Sequence, residues 1–213
     1  VEQQVMQGRY KKGDKLPPER ELAALLGASR NSVREGLGIL ERMGAISSQQ
    51  GAGNFISDNF EKTLIEVMTL MFILEEGTFR EISEFRYALE TQALALAMEH
   101  ISKKQLTDIE YYMSMLEKTP EEDMKAYYDK KIHYTITAAS GNRFIIDNLQ
   151  ALTAVMDVFI KDMRAKILSD GSNSEGLMAA HREMVEALRE KNMKKGMQAL
   201  KVHFEYIYEY IDG

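Results

Sequence analysis

Apolar positions divide the chain into two segments of different rhythm. From Glu19 the sequence reads ERELAALLG, with Leu22, Ala23, Leu25 and Leu26 at helical spacing, and Gly27 suits the left-handed position that ends a helix. Ser29 then offers a side-chain oxygen to the next helix, whose stripe is Val33, Leu37 and Leu40 and which Gly44 closes. After Ala45 the pattern becomes ISSQQGAGNFIS, where Ile46, Phe55 and Ile56 flank a polar tip containing glycine, the pattern of a short β-hairpin. A short helix is expected before Pro17-Pro18. Helix, helix, turn, helix, hairpin is a winged helix-turn-helix. From Phe60 onward no strand pattern stands out. The spacing predicts helices over 61–75, 79–101, 103–118, 121–140, 143–169, 174–190 and 193–211, separated by Gly77, Thr119-Pro120, Ser140-Gly141-Asn142, residues 170–173 and Lys191-Asn192. Seven amphipathic helices with short connections predict an antiparallel bundle. The expected fold is mainly α, with a winged helix-turn-helix domain over 1–58 and an all-helical domain over 59–213.

Composition narrows the function classes. Of 213 residues, 45% are hydrophobic and 28% charged, which excludes wholesale disorder. No run of about 18 uncharged apolar residues occurs, so no membrane partner is expected. With 0 Cys there is no disulfide framework, thiolate nucleophile or Cys-based zinc site, and a metal would need His and carboxylates. The 14 Met read as bundle filler. No signal peptide is read, which makes a cytoplasmic location the expectation. Val1 falls inside a stretch that reads as helical, so further residues are expected before it.

The net charge of −6 hides an asymmetry. Residues 1–57 hold eight Lys/Arg against six Asp/Glu, whereas 58–213 hold nineteen against twenty-seven. A basic reader joined to an acidic sensor would carry this split. The second helix of a helix-turn-helix enters the major groove by its N-terminal end, here Ser29-Arg30-Asn31-Ser32-Val33-Arg34. Arg30 and Arg34 share a helical face and can contact guanine or phosphate. Asn31 is the type that pairs with adenine, and Ser29 and Ser32 can contact base or backbone. Arg20 is placed for phosphate, and the small tip around Gln50 and Gly51 can approach the minor groove. The competing reading of Arg30 and Arg34 is a solvated helix face.

LPPERELAALLGASRNSVREGLGILERMGAISSQQGAGNFI resembles the DNA-binding domain of the GntR family of bacterial transcription regulators. The family pattern has Pro-Ser-Glu-Arg-Glu-Leu-Ala, then Ser-Arg-x-x-Val-Arg-Glu-Ala-Leu, then a Gly-x-Gly wing. Pro18 stands where Ser is usual and Gly36 where Ala is usual, and neither lies on the reading face. The resemblance implies Arg20, Arg30, Arg34, Gln50 and Gly51 as DNA contacts, and a homodimer on a near-palindromic operator.

The four histidines are His100, His133, His181 and His203. Asp129 and His133, at i and i+4, point the same way from one helix. A turn at Lys191-Asn192 would set the helices of His181 and His203 antiparallel and bring both to one layer. Three imidazoles and a carboxylate can hold Zn²⁺, Ni²⁺ or another divalent ion; a surface Asp129 and a core His203 are the plain alternative. Residues 84–90 (EFRYALE), Asp129-x-x-x-His133 running to Ala139-Ser140-Gly141-Asn142, Ala180-His181-Arg182 and Ala199 with His203 resemble the FCD effector domain of the FadR-type branch. Its metal-containing members use one Asp and three His, which map onto Asp129, His133, His181 and His203. The resemblance further implies a small organic acid as effector, such as lactate, citrate or a sugar acid, and makes a fatty acyl-CoA ligand unexpected. Arg86 is the first candidate for its carboxylate, with an ion pair to Glu90 as the alternative. Asn142 is the second, with a helix cap as the alternative. A regulator that senses the metal itself is the competing function. A metalloenzyme would want a free general base, and Glu183 and Glu186 on the helix of His181 form no HExxH-like motif.

Overall fold

The structure, a computed structural model, describes residue 4 and residues 7–57, 60–159 and 174–212. Nine helices and one hairpin lie among them: α1 (Glu19–Leu26), α2 (Arg30–Arg42), β1 (Ile46–Gln49), β2 (Gly53–Ile56), α3 (Glu61–Leu74), α4 (Phe79–His100), α5 (Lys103–Lys118), α6 (Glu122–Ala139), α7 (Arg143–Phe159), α8 (Ser174–Glu190) and α9 (Met193–Asp212). The chain forms two compact units, Val1–Val67 and Met68–Gly213. The helix expected before Pro17, the reach of α7 beyond Phe159 and the turn at 170–173 fall largely outside the described residues. None of the described helices is long and apolar enough to cross a membrane.

The first unit is the winged helix-turn-helix. Gly27 ends α1 at φ 61°, and Ser29 caps α2 by accepting from the Ser32 amide at 3.1 Å. Pro18 provides no side-chain cap for α1. Leu16, Leu22, Ala23, Val33, Leu37, Ile46 and Ile56 form the core. Leu25 and Leu26, part of the expected stripe, are both 69% exposed. The helix ends at Leu26, and its packing is confined to the turn that carries Leu22 and Ala23. The hairpin is antiparallel, pairing Ile46 with Ile56 and Gln49 with Gly53. The segment before α1 lies along β2, where the Leu16 amide donates to Asn54 O at 2.8 Å.

The second unit is built from helices that begin at capping residues. Thr78 and Ser102 form capping boxes with Glu81 and Gln105. Its core gathers Leu94, Ala97, Ile109, Leu116, Ile132, Met184, Leu188, Ala199 and Phe204, each at most 1% exposed. An apolar side chain buried to that degree contributes roughly 1.5–3 kcal/mol. Such a core tolerates costly polar residues, and this one contains, among the described residues, six buried charged or histidine side chains: Arg86, Glu90, Asp129, His133, His181 and His203.

Candidate metal centre and nucleic-acid interface

Each of the six polar residues sits in an apolar stripe. On α4 the buried face runs Ile82, Ser83, Arg86, Glu90, Ala93, Leu94 and Ala97, and on α6 it runs Tyr128, Asp129, Ile132, His133, Ile136 and Thr137. The α8–α9 turn is closed by Lys191 at φ 53°, by the Asn192 amide donating to Ala187 O at 2.8 Å, and by Asn192 Oδ1 accepting from the Lys195 amide. That turn brings the rings of His181 and His203 to 4.6 Å between centroids, and His133 lies 4.7 Å from His203. One ligating atom from each of His133, His181 and His203 lies within 4.8 Å of the others.

The hydrogen-bond partners fix the proton positions. Glu90 Oε2 lies 2.7 Å from His133 Nδ1, and Glu90 Oε1 accepts from Arg86 Nε at 2.5 Å. Burial pushes the Glu90 carboxyl upward, but Arg86 and His133 outweigh it and hold it at about 2. An ionised carboxylate only accepts, so His133 carries its proton on Nδ1. His181 Nδ1 faces the carbonyl of Leu177 at 2.8 Å, so it also carries its proton there. Burial lowers the His133 pKa, more than Glu90 raises it, and keeps the ring neutral. Both Nε2 atoms thus face inward, 3.2 Å apart. Asp129 Oδ1 stands 2.9 Å from His181 Nε2 and 3.7 Å from His133 Nε2. Both ring nitrogens of buried His203 have no hydrogen-bond partner. Burial first, then the closeness of the other two imidazoles, pushes His203 well below the ordinary histidine value. Two ring nitrogens and a carboxylate oxygen this close need a proton or a cation among them, and a divalent ion can take the proton's place. The donor set therefore fits a divalent ion.

Beside this cluster is a space of at most about 220 Å³, its open side included, lined by Arg86, Glu90, Lys130, His133, Tyr134 and Thr137 among others. Its enclosed room is only about 10 Å³, about one water molecule, so a larger ligand enters only where lining side chains move aside. Arg86 is held by Glu90, and Lys130 is paired with Asp157. Asn142 accepts from the Phe144 and Ile145 amides at 3.1 and 3.3 Å, and so caps α7. Sequence reasoning gave Glu90 only as an alternative partner for Arg86. Its signal was present: two charges four residues apart within the apolar stripe of α4. His100 is exposed at the end of α4, away from the cluster.

In the first unit Arg20, Arg30, Asn31, Arg34, Gln50 and Gly51 are all exposed. Ser29 and Ser32 are also exposed, but their hydroxyls bond each other at 2.9 Å. Gly51 turns the wing tip at φ 76°. Arg34 is engaged by Glu19, at 3.2 Å from Nε and 2.9 Å from Nη2. The Arg34 hydrogen bond holds the Glu19 carboxyl below its usual range. Sequence reasoning did not connect the two residues, which are separated by a helix and a turn.

The pattern of the bacterial regulatory proteins of the gntR family matches residues 1–56, and that of the FCD domain matches residues 81–206. The chain belongs to the GntR family of bacterial regulators, in the branch that carries an FCD domain. This GntR-family protein is 26% identical over 202 residues to the putative L-lactate dehydrogenase operon regulatory protein of Escherichia coli K12, covering 92% of this chain and 77% of the relative. It is 22% identical to LutR of Bacillus subtilis, covering 98% and 96%. Against NanR of Salmonella newport identity is 23%, covering 97% and 80%. Its fold is similar to Streptococcus agalactiae GntR, with a TM-score of 0.62, 22% identity and coverage of 96% and 93%. It is also similar to McbR/YncC of E. coli, with a TM-score of 0.52, 20% identity and coverage of 98% and 92%. The protein is a DNA-binding transcription regulator, and its relatives are regulators rather than enzymes.

Proposed function

We propose that this regulator reads a near-palindromic operator as a homodimer, and that its helical domain holds a divalent metal, zinc or nickel, on which a small organic acid acts as effector. Asp129, His133, His181 and His203 hold the metal. The observation that carries this reading is the convergence of the Nε2 atoms of His133 and His181 and the carboxylate of Asp129, beside a His203 with neither nitrogen partnered. Three imidazoles and one carboxylate suit borderline ions of this kind and leave positions for a ligand.

Charge supports an anionic effector. Asp129 offsets one of the metal's two positive charges, and Glu90 and Arg86 offset each other. One positive charge remains in a buried site, and one carboxylate answers it. Arg86 lines the adjoining space and can take a second acidic group, whereas Asn142 is committed to its cap. The enclosed room of about 10 Å³ means that an acid has to displace lining side chains, which is least for an acid of few carbons, and the E. coli relative bears the name of an L-lactate operon regulator.

On the DNA side, exposed Arg20, Arg30, Asn31 and Arg34 with Gln50 and Gly51 support the reading face, while Ser29 and Ser32 serve the helix start. A single recognition helix per chain calls for a second copy, and sedimentation should give roughly twice 24.3 kDa. Elemental analysis and native mass spectrometry of the purified protein test the site. Operator titrations with a chelator, zinc, nickel and lactate or citrate then separate the functions. A response that needs an acid in the presence of metal supports this reading. A response to metal removal alone makes the metal the signal.

A further inference from the structure

Each histidine of the cluster presents one nitrogen inward only if its proton sits on the other, and the three differ in what holds that proton. His181 is set by a backbone carbonyl, Leu177 O, which no side-chain change removes. His203 has no partner on either nitrogen. His133 is set by Glu90, from a different helix, 43 residues earlier in the chain. Glu90 is 6% exposed and spends one oxygen on Arg86 and the other on His133. A buried carboxylate is expensive, and apolar packing alone would not call for it.

We propose that Glu90 is a positioning residue of the metal centre, which fixes His133 in the Nδ1–H tautomer and so aims its Nε2 lone pair into the cluster, with Arg86 anchoring the carboxylate from behind. This rests on the metal reading of Asp129, His133, His181 and His203. Carboxylate partners of this kind raise the basicity of a ligating histidine and fix its ring, and removing them typically costs 10–100-fold in metal affinity. The arrangement also joins the lining of the effector space to the metal. Arg86 faces that space, Glu90 links it to His133, and an acid that draws Arg86 away loosens the same carboxylate.

The isosteric substitution Glu90→Gln separates positioning from packing. Its amide oxygen stays with the cation Arg86, so its NH₂ turns to His133 and draws the ring proton over to Nε2. The full chain is loaded with Co²⁺, with affinity read by competition against a chromophoric chelator and geometry by visible absorption. Histidine tautomers are read from long-range ¹H–¹⁵N couplings in metal-free protein. We expect wild-type His133 to be Nδ1–H, and Glu90→Gln to show Nε2–H, a ten- to hundredfold weaker Co²⁺ affinity and an altered Co²⁺ spectrum. A folded Glu90→Gln protein with wild-type affinity and spectrum overturns the proposal. So does a wild-type His133 protonated on Nε2, a measurement that needs no variant to fold. A wild-type chain that takes up no Co²⁺ removes the metal reading instead, and the His133 tautomer then decides the hold of Glu90 by itself.

Discussion

The guanidinium of Arg34 on α2 grips the carboxylate of Glu19 on α1, with Nε 3.2 Å from both oxygens and Nη2 2.9 Å from one. The pair spans the two helices of the DNA-reading motif and fixes the orientation of an arginine that is otherwise 61% exposed. Arg34 is thus held in place before DNA arrives, while Arg30 stands exposed one turn earlier. Arg30→Ala and Arg34→Ala together should weaken operator binding at least ten- to a hundredfold, the range of losing a base-reading arginine. The melting temperature should change little. Gel-shift titration checks this, and an unchanged affinity would remove both residues from the reading face. Glu19→Ala should leave binding measurable but narrow the gap between operator and mismatched DNA, because Arg34 then loses its fixed orientation.

Gly44 follows α2 at φ +70°, and a Cβ there would come 2.1 Å from Thr63 Oγ1 and 2.9 Å from Thr63 Cβ. Gly51 at the wing tip has a similar φ of +76° but open space around it. Both positions carry the left-handed penalty of roughly 1–2 kcal/mol for a residue with a side chain. Only Gly44 adds a clash. In urea unfolding, Gly44→Ala should therefore lose clearly more stability than Gly51→Ala, and Thr63→Ala should recover part of the difference. Equal losses would show that Thr63 yields without cost.

The hairpin and the helices of both units were readable because their signals are local. Gly27, Ser29, Thr119-Pro120 and Asn192 act on their neighbours in sequence. Leu25 and Leu26 defeated the periodic reading because an eight-residue helix has too few turns to bury every apolar position. Asp129 and His133 were readable as a pair because i and i+4 share a helix face. His181 and His203 could be brought near them only by assuming an antiparallel turn and by family resemblance. Glu90 remained half-read: its partner Arg86 is local, but its other partner, His133, lies on another helix, and only packing sets that distance. Glu19 and Arg34 escaped for the same reason.

The buried histidines make the metal-free protein acid-sensitive. Burial lowers His133, and burial together with the closeness of the other imidazoles lowers His203 further, so both stay neutral in the folded chain. In the unfolded chain they take up protons below about pH 6.5. The unfolded state then binds more protons, so stability rises with pH in that range and falls as pH drops from about 6.5 toward 5. The loss should reach up to about 1.4 kcal/mol per histidine per pH unit. Glu90, held at about 2, adds a second loss below the ordinary carboxylate value near 4.5. Urea midpoints of metal-free protein should be flat above pH 7 and decline from 6.5 to 5. A flat profile down to pH 5 would mean that the histidines charge freely in the folded state.

A metal held by Asp129, His133, His181 and His203 would tie α6, α8 and α9 together at one point in the core. These helices come from segments up to 74 residues apart, so the ion binds a site that exists only in the folded chain. Stabilisation then follows mass action, about 2.7 kcal/mol at free metal a hundredfold above its dissociation constant. Chelation should lower the melting temperature of the second unit, and zinc or nickel should restore it. Protons compete for the same imidazoles, so the metal-dependent increment should shrink as pH falls below about 6.5. His133→Ala and His203→Ala should each abolish the chelator response. His100→Ala should keep it in full, because that residue is exposed at the end of α4 and outside the cluster. Melting curves with chelator, zinc and nickel on the three variants decide the matter. Equal responses from His100→Ala and His203→Ala would place the metal elsewhere. No response in the wild type would leave the three imidazoles as polar groups in a bundle, and Arg86 would have to hold the effector without a metal.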